Sequence, residues 1–332
     1  MKRKGNLYNQ LITFENLKLA DAHARKGKKH QYGVIQFDKN PDGNLLLLQE
    51  SLLNKNFKTS KYTTFTVYEP KERIIYSLPY YPDRITHHAI MNVMEPLFAS
   101  WFTNDTYSSI KGKGIHAAAN NVKKALLNKK ATQYCLKLDI RKFYPSIDHD
   151  VLKALLRKKI KDNEMLWILD EIIDSTDGLP IGNYLSQYFA NFYLTYFDHW
   201  IKETRGVKHY FRYADDIVIF ADNKPELHRH LAVIKRYLKE ELKLDVKHNY
   251  QLFPVKDRGV DFVGYVFYHT HTLLRKSIKK RFARAVSKTP KRATIAAYYG
   301  WAKHADTKHL LKKLIPNEQL QKLQGLQYRA SA

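Results

Sequence analysis

Residues 210–220, Tyr-Phe-Arg-Tyr-Ala-Asp-Asp-Ile-Val-Ile-Phe, constrain the fold of this chain more than any other stretch. Two runs rich in β-branched and aromatic residues each read as a buried strand, with only Ala214, Asp215 and Asp216 between them. So short a link makes the runs an antiparallel hairpin with the two aspartates at its turn. Adjacent carboxylates on a rigid turn between core strands repel unless a cation neutralises them. A divalent metal is the usual partner. A solvated Asp-Asp turn is the plainer reading, and the pair by itself leaves both open.

Charge narrows the partners. Lys and Arg number 57 against 32 Asp and Glu, a formal net charge of +25 over 332 residues. That excess points to a polyanion or an anionic membrane surface. No apolar run approaches membrane-spanning length, and Met-Lys-Arg-Lys-Gly-Asn at the N-terminus lacks the apolar core of a signal peptide, so nucleic acid leads and no membrane partner is expected. An aromatic content of 13% is too high for a disordered basic tail. The single cysteine, Cys135, permits neither an internal disulfide nor a Cys-based zinc site, and a reducing cytoplasm fits. His228/His230 and His269/His271 read as surface or phosphate-facing residues.

The basic charge gathers at one end. From His271 onward, 15 Lys/Arg face only Asp306 and Glu318. Residues 275–292 hold nine basic residues and no acid, interleaved with Ile278, Phe282, Ala285 and Val286, the pattern of a basic amphipathic helix that meets phosphate. The middle of the chain alternates strand and helix: a strand over Tyr134–Ile140, a helix over 151–160, and an aromatic helical stripe from 186 to 201 that reads as core. Asn223, with Glu226 three residues on, reads as a helix N-cap, and Val260–Phe267 returns to strand. The fold class is α+β.

A third carboxylate completes a chemical set. In Lys-Leu-Asp-Ile-Arg-Lys-Phe-Tyr-Pro-Ser-Ile-Asp, Asp139 ends a buried strand and precedes Phe143 and Tyr144. Two Mg²⁺ ions roughly 4 Å apart need carboxylates from more than one strand end, which Asp139, Asp215 and Asp216 supply. Asp148, beyond Pro145, reads instead as a helix N-cap.

These blocks resemble a reverse transcriptase over nearly the whole chain. Lys137 to Asp148 is similar to motif A, Gly178 to Asn191 to motif B, Tyr213 to Asp216 to the YxDD box and Gly259 to Tyr265 to the primer grip of motif E. Glu69-Pro-Lys-Glu-Arg73, Leu78-Pro and Asp83-Arg-Ile resemble the fingers segment that holds the incoming triphosphate. The resemblance implies a right-hand polymerase: an N-terminal extension over 1–60, fingers over 61–130, an antiparallel palm on helices over 131–270 and a basic helical thumb over 271–332. It implies Asp139, Asp215 and Asp216 as catalytic metal ligands with the Ile140 backbone carbonyl, holding two Mg²⁺ ions for which Mn²⁺ can substitute. It assigns Lys71, Arg73, Arg84, Tyr144, Ile181 and Gln187 to the dNTP, Tyr144 as the gate against a ribose 2′-hydroxyl. Gln187 and Asn191 share a helical face suited to template and nucleotide. Arg275, Lys276, Lys279, Lys280, Arg281 and Arg284 would grip the nucleic-acid backbone. The motif D lysine of many relatives is replaced at the matching position by Tyr250, with Lys247 the nearest candidate.

Gly178-Leu-Pro-Ile-Gly-Asn-Tyr-Leu-Ser-Gln187 resembles motif B of diversity-generating retroelements, as do Gly5-Asn-Leu-Tyr, His87-His-Ala-Ile, Thr106-Tyr and Leu273-Leu-Arg-Lys-Ser277. Ile181 stands where most retroviral and intron relatives have Gln, which the resemblance links to mutagenic copying at template adenines. The implied activity is RNA-directed DNA synthesis from a template-repeat RNA, with template RNA, cDNA, dNTPs and a small basic accessory protein forming a pentameric barrel as partners. The alternative is an antiphage-defence or retron-type reverse transcriptase. No stretch after the thumb has room for a ribonuclease H domain, so template removal is expected from elsewhere.

Overall fold

A computed structural model describes residues 2–68, 71–287 and 292–315. Four helices come first, α1 (Tyr8–Leu11), α2 (Phe14–Ala24), α3 (Tyr32–Phe37) and α4 (Pro41–Leu53). The strands β1 (Thr63–Val67) and β2 (Arg73–Ser77) follow, then α5 (Ile85–Trp101) and α6 (Ile115–Leu126). Strand β3 (Tyr134–Asp139) precedes α7 (His149–Arg157), α8 (Asn163–Ile173), α9 (Tyr184–Tyr193) and α10 (Thr195–His199). Next are β4 (His209–Tyr213), β5 (Asp216–Ala221), α11 (Lys224–Leu242), β6 (Gln251–Pro254) and the single turn α12 (Val255–Arg258). The described chain closes with β7 (Val260–Phe262), β8 (Tyr265–Phe267), β9 (Thr272–Leu274), α13 (Lys276–Val286), α14 (Arg292–Ala302) and α15 (Lys308–Leu314). No helix among the described residues is long and apolar enough to cross a membrane.

The chain forms two compact units. The first holds Met1–Asn104, Ile140–Arg205 and Lys235–Val246; the second holds Asp105–Asp139, Gly206–Ile234 and Lys247–Ala332.

In the first unit the helix starts follow from side chains that satisfy otherwise unpaired amides. Asn40 caps α4 with Pro41 at the first position, Asp148 accepts from Val151 N at 3.0 Å to cap α7, and Asp162 accepts from Met165 N at 3.0 Å to cap α8. Asp148 is therefore the cap its sequence position suggested. Phe98 of α5 is ringed by Trp101, Phe102, Tyr188, Phe189 and Phe192, so the aromatic stripe is core. It is not one helix, however: α9 ends at Tyr193, α10 is short, and Trp200–Thr204 winds as a π-helical turn. The β1–β2 hairpin pairs Phe65 with Ile75 and Val67 with Arg73, and every residue of β1 is exposed. Glu69 and Pro70 lie outside the described residues.

The second unit is built on a four-stranded antiparallel sheet in the order β4-β5-β3-β6 and a three-stranded one in the order β7-β8-β9. Cys135, Phe211, Val218, Phe220 and Phe253 of the larger sheet, Tyr265 and Phe267 of the smaller, and Val122 of α6, Phe282 of α13 and Tyr299 of α14 form one continuous core. Leu136, Leu138, Ile217 and Ile219, which alternate with that set along β3 and β5, are buried as well, so both faces of these strands are covered. Asn223 accepts from Glu226 N at 2.8 Å and caps α11 as expected. The run Val260–Phe267 is two strands rather than one: Val263 (φ 42°) and Gly264 (φ 88°) fold it into a hairpin. A Cβ on Gly264 would lie 2.3 Å from the Trp301 ring, so the turn has room only for glycine there. The basic amphipathic helix is realised as α13, whose Phe282 stacks on Tyr298 at 5.0 Å. Lys288, Lys291 and residues 316–332 lie outside the described residues, as does the side chain of Arg292.

Candidate active site

The hairpin turn occupies one end of the larger sheet. Tyr213 pairs with Asp216 across the β4–β5 ladder, and Asp216 pairs with Asp139 across β5–β3, which sets these residues in a row at the strand ends. Asp216 is therefore the first residue of β5, and only Ala214 and Asp215 form the loop. Ala214 has φ 54°, the conformation a two-residue type II′ loop gives to glycine at its first position. An L-residue held there costs roughly 1–2 kcal/mol.

Each carboxylate is electrostatically constrained. Burial pushes the Asp215 carboxyl well above its ordinary value, and the neighbouring Asp139 adds to the rise. Burial raises Asp216 to about 6, Asp139 pushing the same way while Lys137 and Arg275 oppose it. Lys137, two residues before Asp139 and so on the same strand face, places Nζ 3.4 Å from Asp216 Oδ2 and donates to the Asp261 carbonyl. Lys247 Nζ donates to Asp139 Oδ2 at 2.6 Å, and its backbone N–H to the Asp139 carbonyl at 2.9 Å. Leu244-Asp-Val-Lys247 alternates in sequence as a strand would, yet the segment is irregular, and Lys247 reaches Asp139. Tyr250 is half-buried.

The donor set suits a hard divalent cation by charge and by oxygen chemistry. Asp139 Oδ1 and Asp216 Oδ1 are buried with no hydrogen-bond partner, a state that carboxylate oxygens tolerate poorly without a cation. No group of three or more His, Cys, Asp or Glu side chains forms a ready-made metal cage among the described residues. Ile140 is buried and bridged to Val246.

The nucleotide-binding candidates lie in the first unit. Lys71 and Arg73 are exposed. Arg84 Nε donates to the Leu78 carbonyl at 3.3 Å, and Arg84 lines a cavity of about 280 Å³ together with Gln187, Lys28 and His88. The Tyr144 carbonyl accepts from Leu179 N at 2.9 Å, and Gly178, with φ 60°, lies so close to Pro145 that a Cβ would meet its carbonyl at 2.7 Å. Ile181 is half-buried and its carbonyl accepts from Tyr76 N at 2.8 Å, anchoring that loop to β2. Gln187 is exposed whereas Asn191 is buried, so the two do not face one surface equally. On α13, Lys276, Lys279, Lys280, Arg281 and Arg284 are exposed, while Arg275 is engaged with Asp261 at 2.6 Å.

Two neighbours of the carboxylates had escaped sequence reasoning. The period-2 relation to Asp139 was the available signal for Lys137. Arg212 carried none: it is fully buried beneath the turn, inside a run that reads as ordinary strand.

Comparison with known proteins agrees with this geometry. The family described as "Reverse transcriptase (RNA-dependent DNA polymerase)" matches residues 58–267, more than half of the chain. Protein YkfC of Escherichia coli strain K12 is 23% identical over 258 residues, covering 64% of this chain and 66% of that protein. Retron Ec73 reverse transcriptase of Escherichia coli is 26% identical over 237 residues, covering 64% of this chain and 72% of its own. Apo telomerase from Candida tropicalis superposes with a TM-score of 0.53 at 12% identity, over 73% of this chain and 53% of that one. The chain thus spans just under two thirds of YkfC and about half of the telomerase. The telomerase likeness is one of fold, that of the right-hand polymerases. On the family match and the antiparallel carboxylate-bearing sheet together, the chain belongs to the reverse transcriptase family.

Proposed function

We propose that the chain is an RNA-directed DNA polymerase that extends a primer by nucleotidyl transfer. The observation that carries this is the convergence of Asp139, Asp215 and Asp216 at one end of a single sheet. These carboxylates, with the Ile140 carbonyl, would hold two divalent ions, Mg²⁺ or Mn²⁺, whose charge would ease deprotonation of the primer hydroxyl and offset charge on the leaving pyrophosphate. Lys71, Arg73 and Arg84 bind the triphosphate on this reading, Tyr144 excludes the ribose 2′-hydroxyl, and Gln187 contacts template or nucleotide. The exposed cations of α13 grip the duplex backbone without reading sequence. Lys247, which donates to Asp139 Oδ2, is the nearest candidate for the proton donor to the leaving pyrophosphate on this reading. Residues 61–130 then act as fingers, 131–270 as palm and 271–332 as thumb, behind an extension over 1–60.

The template is a retroelement template-repeat RNA, copied with errors at adenine, and a small basic protein forming a pentameric barrel assists. The string Gly178–Gln187 supports this finer reading, with an apolar Ile181 that offers the nascent pair no side-chain hydrogen bond. A second reading, a retron or antiphage-defence enzyme, is favoured by the likeness to Retron Ec73 reverse transcriptase. Primer extension by the purified chain on RNA, followed by sequencing of the cDNA, separates them. Adenine-directed errors that fall in Ile181→Gln support the first, and a faithful product supports the second. Incorporation that survives Asp216→Asn would sink the polymerase reading itself.

A further inference from the structure

Arg212 is the largest fully buried side chain in the described molecule. A guanidinium removed from water is tolerated only where its N–H groups find acceptors. Its Nη1 donates to the Ala214 carbonyl at 3.0 Å and its Nη2 to Thr106 Oγ1 at 3.4 Å. Its backbone is held by the same segment: Arg212 N donates to the Asp105 carbonyl at 3.0 Å, and Tyr107 N donates to the Arg212 carbonyl at 3.1 Å. One buried cation therefore joins the Thr106-Tyr107 segment to the loop residue that precedes Asp215.

We propose that Arg212 is a positioning residue that holds Ala214 in its left-handed conformation and thereby aims Asp215. Ala214, at φ 54°, occupies a conformation that glycine adopts freely and alanine resists. The carbonyl that Arg212 grips belongs to the peptide that also carries the Asp215 N–H, so fixing its direction fixes the plane from which the Asp215 side chain departs. If Ala214 relaxed to negative φ, the carbonyl would swing off the guanidinium and leave a buried donor unsatisfied, which penalises the relaxed conformer. Thr106 holds the guanidinium from the other side. The role rests on the polymerase reading for its functional consequence, but the conformational claim is separate from it.

The test uses the purified full chain with primer–template and measures kcat and KM for dNTP, thermal midpoint, and hydrogen exchange of residues 211–217. Arg212→Lys keeps the charge but loses the forked donors; kcat should fall roughly 10²-fold, as for other small misplacements of reacting groups, with KM unchanged. Exchange at Asp215 and Asp216 should rise. Adding Ala214→Gly, which supplies positive φ without help, should recover most of kcat and of the exchange protection. If Arg212→Lys does not fold, Thr106→Val with and without Ala214→Gly gives the same comparison with a smaller initial loss. No rescue by Ala214→Gly, or unchanged exchange in a folded variant with slow turnover, overturns the proposal. A wild-type chain that incorporates no dNTP overturns the polymerase reading instead, and the exchange arm still decides whether Arg212 holds the turn.

Discussion

The hairpins β4–β5 and β1–β2 both carry residues proposed for the reaction, yet they are built in opposite ways. β4–β5 belongs to a four-stranded sheet, its strand residues are mostly buried, and its Asp216 meets Lys137 of β3. β1–β2 is a two-stranded sheet of its own with β1 exposed throughout, including Phe65 and Val67, and its flanking cations Lys71 and Arg73 are exposed. The contrast teaches where geometric precision comes from. Carboxylates that must hold fixed mutual positions are set by register and burial, whereas cations that capture a phosphate need only charge and reach.

Substitutions at four positions probe that contrast, and the largest effect is expected at the buried turn. Asp215→Asn should abolish primer extension by about 10³-fold or more while raising the thermal midpoint by a few degrees, because it removes one of two repelling buried carboxylates. Activity and stability moving in opposite directions, read by extension assay and calorimetry, would mark the turn as a site where stability has been given up for function. A midpoint that falls would break the idea. Gly182→Ala comes next. Its φ of 122° and a Cβ that would sit 2.3 Å from the Tyr76 carbonyl predict a loss of about 2–3 kcal/mol in denaturant unfolding. That result would show that β1–β2, for all its exposure, is pinned at Tyr76; a neutral outcome would show that it is not.

Lys137→Met should lower kcat roughly five- to tenfold with little change in KM for dNTP, the effect of losing about 1 kcal/mol from a partly exposed ion pair. Lys137→Arg should retain most of the rate, and steady-state kinetics that show no difference between the two would deny the lysine a role. The smallest effect is expected from Phe65→Ser on exposed β1, within about 0.5 kcal/mol of the parent in unfolding. A larger loss would mean that this face is covered by something in solution.

Much of the second unit was legible in the sequence because its signals are local. The strand runs on either side of Asp215 and Asp216, the Asn223–Glu226 cap and the Asp148 cap each depend on a few adjacent residues, and each appears where the pattern put it. The failures share a cause. Val260–Phe267 reads as a single apolar strand, whereas Val263 and Gly264, both at positive φ and with Trp301 packed against Gly264, fold it into a hairpin. The segment around Lys247 alternates in sequence as a strand would, but its main chain bonds Asp139 and the residues beside it instead of forming a ladder. Arg212 lies in a strand of aromatic residues, and nothing nearby in sequence announces that its partners are at Thr106 and Ala214. Tertiary partners distant in sequence decided all three.

The row formed by Tyr213, Asp216 and Asp139 has a consequence for how the chain can change over generations. Its members are aligned by counting along three strands, so deleting one residue from β3 or β5 would shift a carboxylate by about 3.3 Å and turn its side chain to the opposite face. A substitution in these strands alters one contact, whereas an insertion or deletion misaligns the whole row. Length variation in the lineage should therefore gather in the connections and stop at the boundaries of β3, β4 and β5, even where the residues within those strands drift.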